Sequence, residues 1–214
     1  MPLNDVGVVS NNARGLSNLG ASTLWLDGSG ALVVIDFLTK AILDGHGYQI
    51  RDGVLSTPVV ADIEVTTVAA EAAVNSAAGL VIMPVRYNFD FEALNGSTLP
   101  QVSVKMTTTA ATGGTAFTPL PLLTGGRAAS STALVNDAGG VAVVDDVATT
   151  TRLLYASHQA AVGNFDVDVN LLGRGMVSGV GDIYIAIGSV TAGVQYFHKL
   201  DYLEYTIGQL GISV

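Results

Sequence analysis

Two aspartates stand two residues apart in "NFDVDVN", at Asp166 and Asp168. On a β-strand that spacing sends both carboxylates from one face. A pair of this kind holds Ca²⁺ when loops add carbonyl oxygens and a third carboxylate. It serves glycoside hydrolysis when the two acids flank a substrate cleft. No EF-hand loop accompanies the pair, so two solvated carboxylates on an acidic strand face are expected. Asp145-Asp146 follows an apolar run and reads as a turn. The three histidines are far apart in the chain. His46 in "DGHGY" suits a turn, His158 follows the apolar run "RLLYAS", and His198 lies among Tyr196, Phe197 and Tyr202 as a half-buried strand residue. Gly-x-Ser-x-Gly is absent, and none of the histidines sits in a nucleophile–base context. The glycine-rich pieces "GSGALV" and "GRGMVSGVGD" lack both the dinucleotide spacing and the Lys-Ser/Thr ending of a phosphate loop, so they read as turns. Trp25, Tyr87, Tyr155, Tyr184, Tyr196, Tyr202 and Tyr205 have the chemistry of a sugar-binding platform. Most lie on alternating runs, where aromatics pack in a core or an interface. The expectation is a protein that is not an enzyme and needs no metal or cofactor.

Composition narrows the partners. The 214-residue chain is 49% hydrophobic and only 13% charged, about half the usual charged share of roughly 25%. It has length enough for a real core, and its surface must be largely Thr, Ser, Ala, Gly and backbone, or be covered by other subunits. The net charge is −9, and the nine Lys and Arg residues form no basic run. Phosphate binding needs clustered cations, so direct contact with nucleic acid is not expected. Cysteine is absent, which removes disulfides, thiol nucleophiles and Cys-ligated zinc. The longest apolar run, near Ala31–Leu43, is broken by Asp36 and Lys40 and is too short to span a membrane. "MPLNDVGVVSNNARG" lacks a basic region followed by an apolar one, so synthesis in a cytoplasm without an export signal is expected.

The elements that position these residues are mostly strands. Residues 1–22, rich in Asn, Gly and Ser, read as an N-terminal arm. "TLWLDGSGALVVIDF" carries a hairpin signal at Asp27–Gly30. A short helix is predicted over Phe37–Leu43, with Phe37, Ala41 and Ile42 on one face and Gly45 as its C-cap. A further helical turn is expected in "VAAEAAV", Val68–Val74. From Leu80 the pattern has a period of two. Val85, Tyr87, Phe89 and Phe91 alternate with Arg86, Asn88, Asp90 and Glu92, and Pro84 asks for an edge or a bulge. Val102, Val104 and Met106 point inward from the next strand, after a turn at Asn95–Ser97. "RLLYASHQAAVGNFDVDVNLL" reads as two strands joined through Ala160–Gly163. "DIYIAIGSVTAGVQYFHKLDYLEYTI" reads as a strand pair turning at Thr191–Gly193. The expected fold is mainly β: an antiparallel sandwich of jelly-roll or Greek-key type over residues 23–214, with one short helix.

Between the strands lies "TGGTAFTPLPLLTGG", Thr112–Gly126. Pro119 and Pro121 bias Thr118 and Leu120 toward extended backbone. Phe117, Leu120, Leu122 and Leu123 would then anchor a segment crossing the sandwich, or lie on a neighbouring subunit. The piece around it, "LPQVSVKMTTTAATGGTAFTPLPLLTGGRAASSTALV", resembles a segment of structural proteins of tailed bacteriophages, in which "GGTAxTPxxL" follows a strand and precedes small residues and Thr/Val strands. "AAEAAVNSAAGLVIMPVRYNFDF" and "GVQYFHKLDYLEY" share the style, while the N-terminal part does not take part. The resemblance implies a virion component, such as a capsid decoration or head-surface protein, and carries no catalytic residues with it.

Three function classes follow: a structural virion protein, a carbohydrate-binding or adhesive sandwich, and an enzyme. The first is favoured, because low charge and small residues suit tight subunit contacts. Its expected partners are further copies of itself, with a trimer among the closed forms, and other capsid proteins. The expected location is the virion, assembled in the host cytoplasm. The expected contact residues are Val6, Val8, Val9, Leu16 and Leu19 of the arm, together with Phe117, Leu120, Leu122 and Leu123.

Overall fold

The computed structural model describes residues 36–53, 58–60, 69–93, 101–135, 140–144, 151–158, 166–188 and 195–210, and for 91–93 the backbone alone. The chain divides into two units, Met1–Lys40 and Ala41–Val214. The expected arm and the Asp27–Gly30 hairpin lie outside the described residues. The helix α1 spans Phe37–Leu43, as its pattern predicts. Asp36 caps its start: the Thr39 N–H donates to Asp36 Oδ1 at 3.0 Å and the Thr39 hydroxyl donates to Oδ2. Those bonds, the hydroxyl's first, lower the Asp36 carboxyl below its ordinary range. At the other end Gly45 (φ 77°) sends its N–H to Ile42 O, and the His46 N–H reaches Ala41 O, closing a Schellman turn. On the predicted apolar face only Ala41 is buried; Phe37 is 56% exposed.

The strands of the second unit, in chain order, are β1 (Gly47–Asp52), β2 (Val59–Val60), β3 (Ala69–Ala70), β4 (Ala72–Ser76), β5 (Leu80–Ala93), β6 (Gln101–Thr107), β7 (Thr112–Gly113) and β8 (Thr115–Phe117). They continue with β9 (Leu120–Pro121), β10 (Thr132–Val135), β11 (Val141–Ala142), β12 (Arg152–His158), β13 (Asp166–Asn170), β14 (Val177–Ser178), β15 (Gly181–Gly188) and β16 (Gln195–Thr206), before a last helical turn α2 (Ile207–Leu210). The stretch expected as a helical turn forms β3 and β4 instead, bent at Glu71. Pairing of Ala72–Asn75 with both β10 and β15 overrides the helical preference of its alanines.

One sheet runs β13-β5-β16-β1 and the other β12-β6-β15-β4, with smaller strands added to each. Taking these eight strands in chain order, the first sheet reads sixth, third, eighth, first. The second reads fifth, fourth, seventh, second. That is the order of a jelly roll, two interleaved Greek keys. β5 and β6, β12 and β13, and β15 and β16 lie in opposite sheets, so none of these pairs forms a hairpin, and the turns expected at 95–97, 160–163 and 191–193 lie outside the described residues. In particular β15 and β16 do not pair with each other. The longest pairing joins β5 to β16 with two register slips, and the one between Asp201 and Tyr202 leaves Val85 as a bulge between Pro84 and Arg86. The proline therefore sits in a central strand, at the bulge that tolerates its missing N–H. The bulge shifts the inward row from Ile82 to Tyr87 and Phe89.

Both sheets turn one face to a common core. β15 contributes Ile183, Ile185 and Ile187, β6 contributes Val102, Val104 and Met106, and β16 contributes Tyr196, Leu200 and Tyr202. β15 is buried along its whole length. Its outer face is covered by a third sheet, β3-β11-β7, which packs Ala70, Val141 and Val143 against Ala73 and Tyr184. Double coverage explains why "DIYIAIG" shows so little polar alternation.

The connection from β6 to β12 holds the Thr112–Gly126 stretch. β8 pairs with β10, and β10 extends the second sheet beyond β4. Thr118-Pro119 then crosses to the first sheet, where β9 pairs with β1. The segment is fixed because both of its ends are strands, and it closes the adjacent β1 and β4 edges. Gly113 (φ 72°) and Gly114 (φ 64°) make the bend between β7 and β8. A Cβ at Gly114 would lie 2.8 Å from Val135 O and 2.7 Å from Val141 Cγ2, whereas Gly125 (φ 78°) has open space around it. Gly125→Ala therefore meets backbone strain alone and should lower stability by about 1 kcal/mol. Gly114→Ala adds a clash and should lower it by about 3 kcal/mol. Equal losses in chemical denaturation would show that Gly114 is not held against β10 and β11.

Candidate functional site

The aspartate pair lies where its spacing predicts, on the solvent face of β13. Asp168 is held by Arg86 of β5: the guanidinium donates from Nε to Oδ1 at 2.7 Å and from Nη2 to Oδ2. Arg86 thus keeps the Asp168 carboxyl below its ordinary range. Asp166 faces Asp90 across the ladder. Burial, and then the Asp166 carboxyl, push Asp90 up. One aspartate is committed to an arginine and the other to a second carboxylate. Among the described residues, no three His, Asp or Glu side chains converge as a metal site.

The histidines occupy three separate places. His46, half-buried in the turn before β1, puts Nδ1 2.9 Å from Glu204 O and stacks its ring 4.3 Å from that of Tyr205. His158 is exposed at the end of β12, beside a shallow depression with Gln101, Ser103 and Ser157. His198 was expected to be half-buried but is 1% exposed, because β16 turns it into the core between Tyr196 and Leu200. Neither ring nitrogen has a hydrogen-bond partner, and burial pushes its pKa down to about 3. The tyrosines are core residues as well. Tyr87, Tyr184, Tyr196 and Tyr202 are fully buried and Tyr205 is 8% exposed, which leaves Tyr155 half-buried.

The contact residues divide by position. Val6, Val8, Val9, Leu16 and Leu19 lie outside the described residues, as do Trp25 and Asp145-Asp146. Phe117 packs against the core, Leu122 and Leu123 are half-buried, and Leu120 is 40% exposed on β9. Gly173 and Gly179 belong to the turns on either side of β14, and Gly181 opens β15.

Three buried carboxylates went unforeseen: Glu71, Asp182 and Glu204. Each is the single acid within an apolar run, "AAEAAV", "GVGDIYIAI" or "YLEYTI". A lone charge among core residues was the available signal. Glu204 organises the long connection. Its carboxylate accepts the Ser130 N–H at 3.0 and 3.1 Å and the Ser131 N–H at 2.7 Å. Ser131 Oγ and Tyr202 OH lie 2.8 Å apart, and both Arg127 Nε and Tyr48 OH donate to Gly45 O. Asp182 lies on the outer face of β15, between Asn75 and Thr107. Asn75 clamps Ala111 through Nδ2 to its carbonyl at 2.8 Å and through Oδ1 to its N–H at 2.9 Å. The Thr107 and Ala111 backbones approach the Asp182 carboxyl without reaching hydrogen-bond geometry, and burial lifts its pKa to about 8. Glu204 and Asn75 brace the fold. They do not line a common cleft.

Comparison with protein-family models, with curated proteins and with solved structures yields no match.

The two displaced titrations act in opposite directions. Folded Asp182 keeps its proton up to about pH 8, while the unfolded residue releases it near its ordinary value of 3.8. The folded state then binds more protons across that window, so stability falls as pH rises through it. Folded His198 stays neutral down to about pH 3, while the unfolded ring protonates near 6.5. Stability from this residue is therefore lost as pH falls from 6.5 toward 3. Asp182→Asn should raise the melting temperature by several degrees near pH 8 and leave it unchanged near pH 4. His198→Phe should do the reverse, with its gain confined to the acid side. The same offset at both pH values would contradict these assignments. Glu204→Gln should destabilise by about 2 kcal/mol in urea unfolding, through loss of charge-assisted bonds to two backbone N–H groups. A neutral result would mean that Glu204 does not pin the connection.

Proposed function

We propose that the protein is a structural component of a tailed-bacteriophage virion, a capsid decoration or head-surface protein acting through subunit contacts. The observation that carries the reading is a jelly roll whose interior is filled with large apolar side chains. Jelly rolls serve as capsid, lectin and cupin domains. A cupin uses the interior for a metal, but here Ile, Val and Tyr side chains occupy it. A lectin-like platform needs exposed aromatics, and of the tyrosines in question all but the half-buried Tyr155 are buried. The resemblance of the Gly113–Leu122 piece to virion proteins points the same way. Low charge and exposed apolar residues such as Leu120, Leu153 and Val180 suit contact with other proteins. The partners of this reading are further copies of the chain and other capsid proteins, and the N-terminal arm contributes to attachment.

Sedimentation of particles assembled without the protein, after adding it back, tests the reading. The full chain should co-sediment with the particles. A chain lacking Met1–Ser22 should retain its β-sheet circular dichroism but bind weakly or not at all. A full chain that stays at the top of the gradient at saturating concentration would refute the function. Undiminished binding by the truncated chain would remove the arm and leave Phe117–Leu123 as the attachment element.

A further inference from the structure

The two flanks of the sandwich are treated differently. On one flank, β9 covers the β1 edge, and β10 with β8 extends the sheet beyond β4. On the other flank, β12 pairs with β6 on one side only, and no described strand occupies its second side. An uncovered edge offers backbone N–H and C=O groups to any extended chain, and natural folds commonly block such edges with charge, proline or a covering loop. The residues beside this edge are instead apolar and cationic. Leu153 is 57%, Met176 45% and Val180 54% exposed, and all three line a groove of about 500 Å³ between β12, the end of β6 and the β13–β15 connection. Arg152 and Arg174 stand in the same groove. Arg174 donates from Nη1 to Leu154 O at 3.1 Å, which fixes its guanidinium beside the β12 bulge. No carboxylate lines the groove. In a chain of net charge −9, two arginines beside an apolar strand edge that no described strand covers form a local cationic strip.

We propose that the β12 edge and its groove are a docking site for an extended, acidic segment of a partner protein, added as a further strand to the six-stranded sheet. The open backbone edge supplies hydrogen bonds to an extended chain. Leu153, Met176 and Val180 take its apolar side chains, and Arg152 with Arg174 selects carboxylates. This inference rests on the reading of the protein as one that works by contacts with other proteins. It names the surface and the chemistry of the partner. A second copy presenting its own β12 edge would bring arginines without carboxylates, so charge favours a different, acidic chain.

The test uses the full chain and two fluorescein-labelled synthetic peptides, one alternating Val with Glu and one alternating Val with Lys, followed by fluorescence anisotropy at low salt. The Val-Glu peptide should bind, weaken as salt is raised, and lose at least tenfold in affinity with Arg152→Glu and with Leu153→Glu. Both changes fall on exposed side chains and should leave the melting temperature unchanged. The Val-Lys peptide should not bind. Equal binding of the two peptides, no binding of either, or binding indifferent to both variants would overturn the site. So would light scattering that shows self-association abolished by Leu153→Glu, because the edge would then belong to a second copy. Peptide binding without particle association would refute the virion reading and leave the docking site standing. The converse pattern would refute the docking site alone.

Discussion

A buried carboxylate reaching across to two backbone N–H groups holds this fold in its particular form. A jelly roll leaves four strand edges, and here two of them are closed by one connection whose strands β8, β9 and β10 are short. Glu204 lies on β16, next to β1, and its carboxylate takes the Ser130 and Ser131 N–H groups just before β10 begins. From there β10 runs along β4, while upstream β9 runs along β1. One ionisable side chain thus ties the connection to the sandwich where the chain turns from one sheet to the other. Its burial is tolerable because hydrogen bonds meet the charge, and an uncompensated carboxylate in the same place would cost several kcal/mol.

The other buried polar groups are less well provided for. Asp182, between Asn75 and Thr107, and His198, between Tyr196 and Leu200, have no hydrogen-bond partners, and each is held in its neutral form by burial. Tyr87 and Tyr196, which flank His198 at ring distances of 6.0 and 5.7 Å, also have hydroxyls without partners and are shifted far upward. Burial is the largest cause for both rings, and Glu71 adds to both. This strip of β16 works against the core it belongs to, while the isoleucines of β15 and the valines of β6 supply the apolar burial opposite. Such residues commonly mark function. In this chain His198, Tyr87 and Tyr196 lie together in the core while Asp182 stands on the outer face of β15, and their common property is that each narrows the pH range in which the fold is most stable.

Much of the architecture was legible in single residues. The alternation of Val85, Tyr87 and Phe89 with Arg86, Asn88 and Asp90 places β5 and its inward face, and Pro84 places the bulge. Gly45 marks the end of α1. What a local pattern cannot carry is the sheet to which a strand belongs. A glycine turn reverses the chain whether it joins neighbours or arches between layers, so the β15–β16 reading as a strand pair fails on topology. The alanines of "VAAEAAV" favour a helix on propensity, and only pairing with distant strands makes them β. For the site, Asp166 and Asp168 were placed on the solvent face, but Arg86 and Asp90 as their neighbours depend on register. Glu204 was hidden for the same reason, since its partners lie more than seventy residues away.

One flank is closed by a pinned connection, and on the other no described strand covers the second side of β12; the docking proposal rests on this arrangement. Amide hydrogen exchange of the native full chain, followed residue by residue by NMR, tests it most directly. The Ser130, Ser131 and Leu122 amides, bonded to Glu204 and to Gly47 O, should exchange as slowly as those of β4 and β1. The β12 amides that do not face β6 should exchange far faster. Loop-like exchange at Ser130 and Ser131 while β1 and β4 stay protected, or full protection along both sides of β12, would contradict the account.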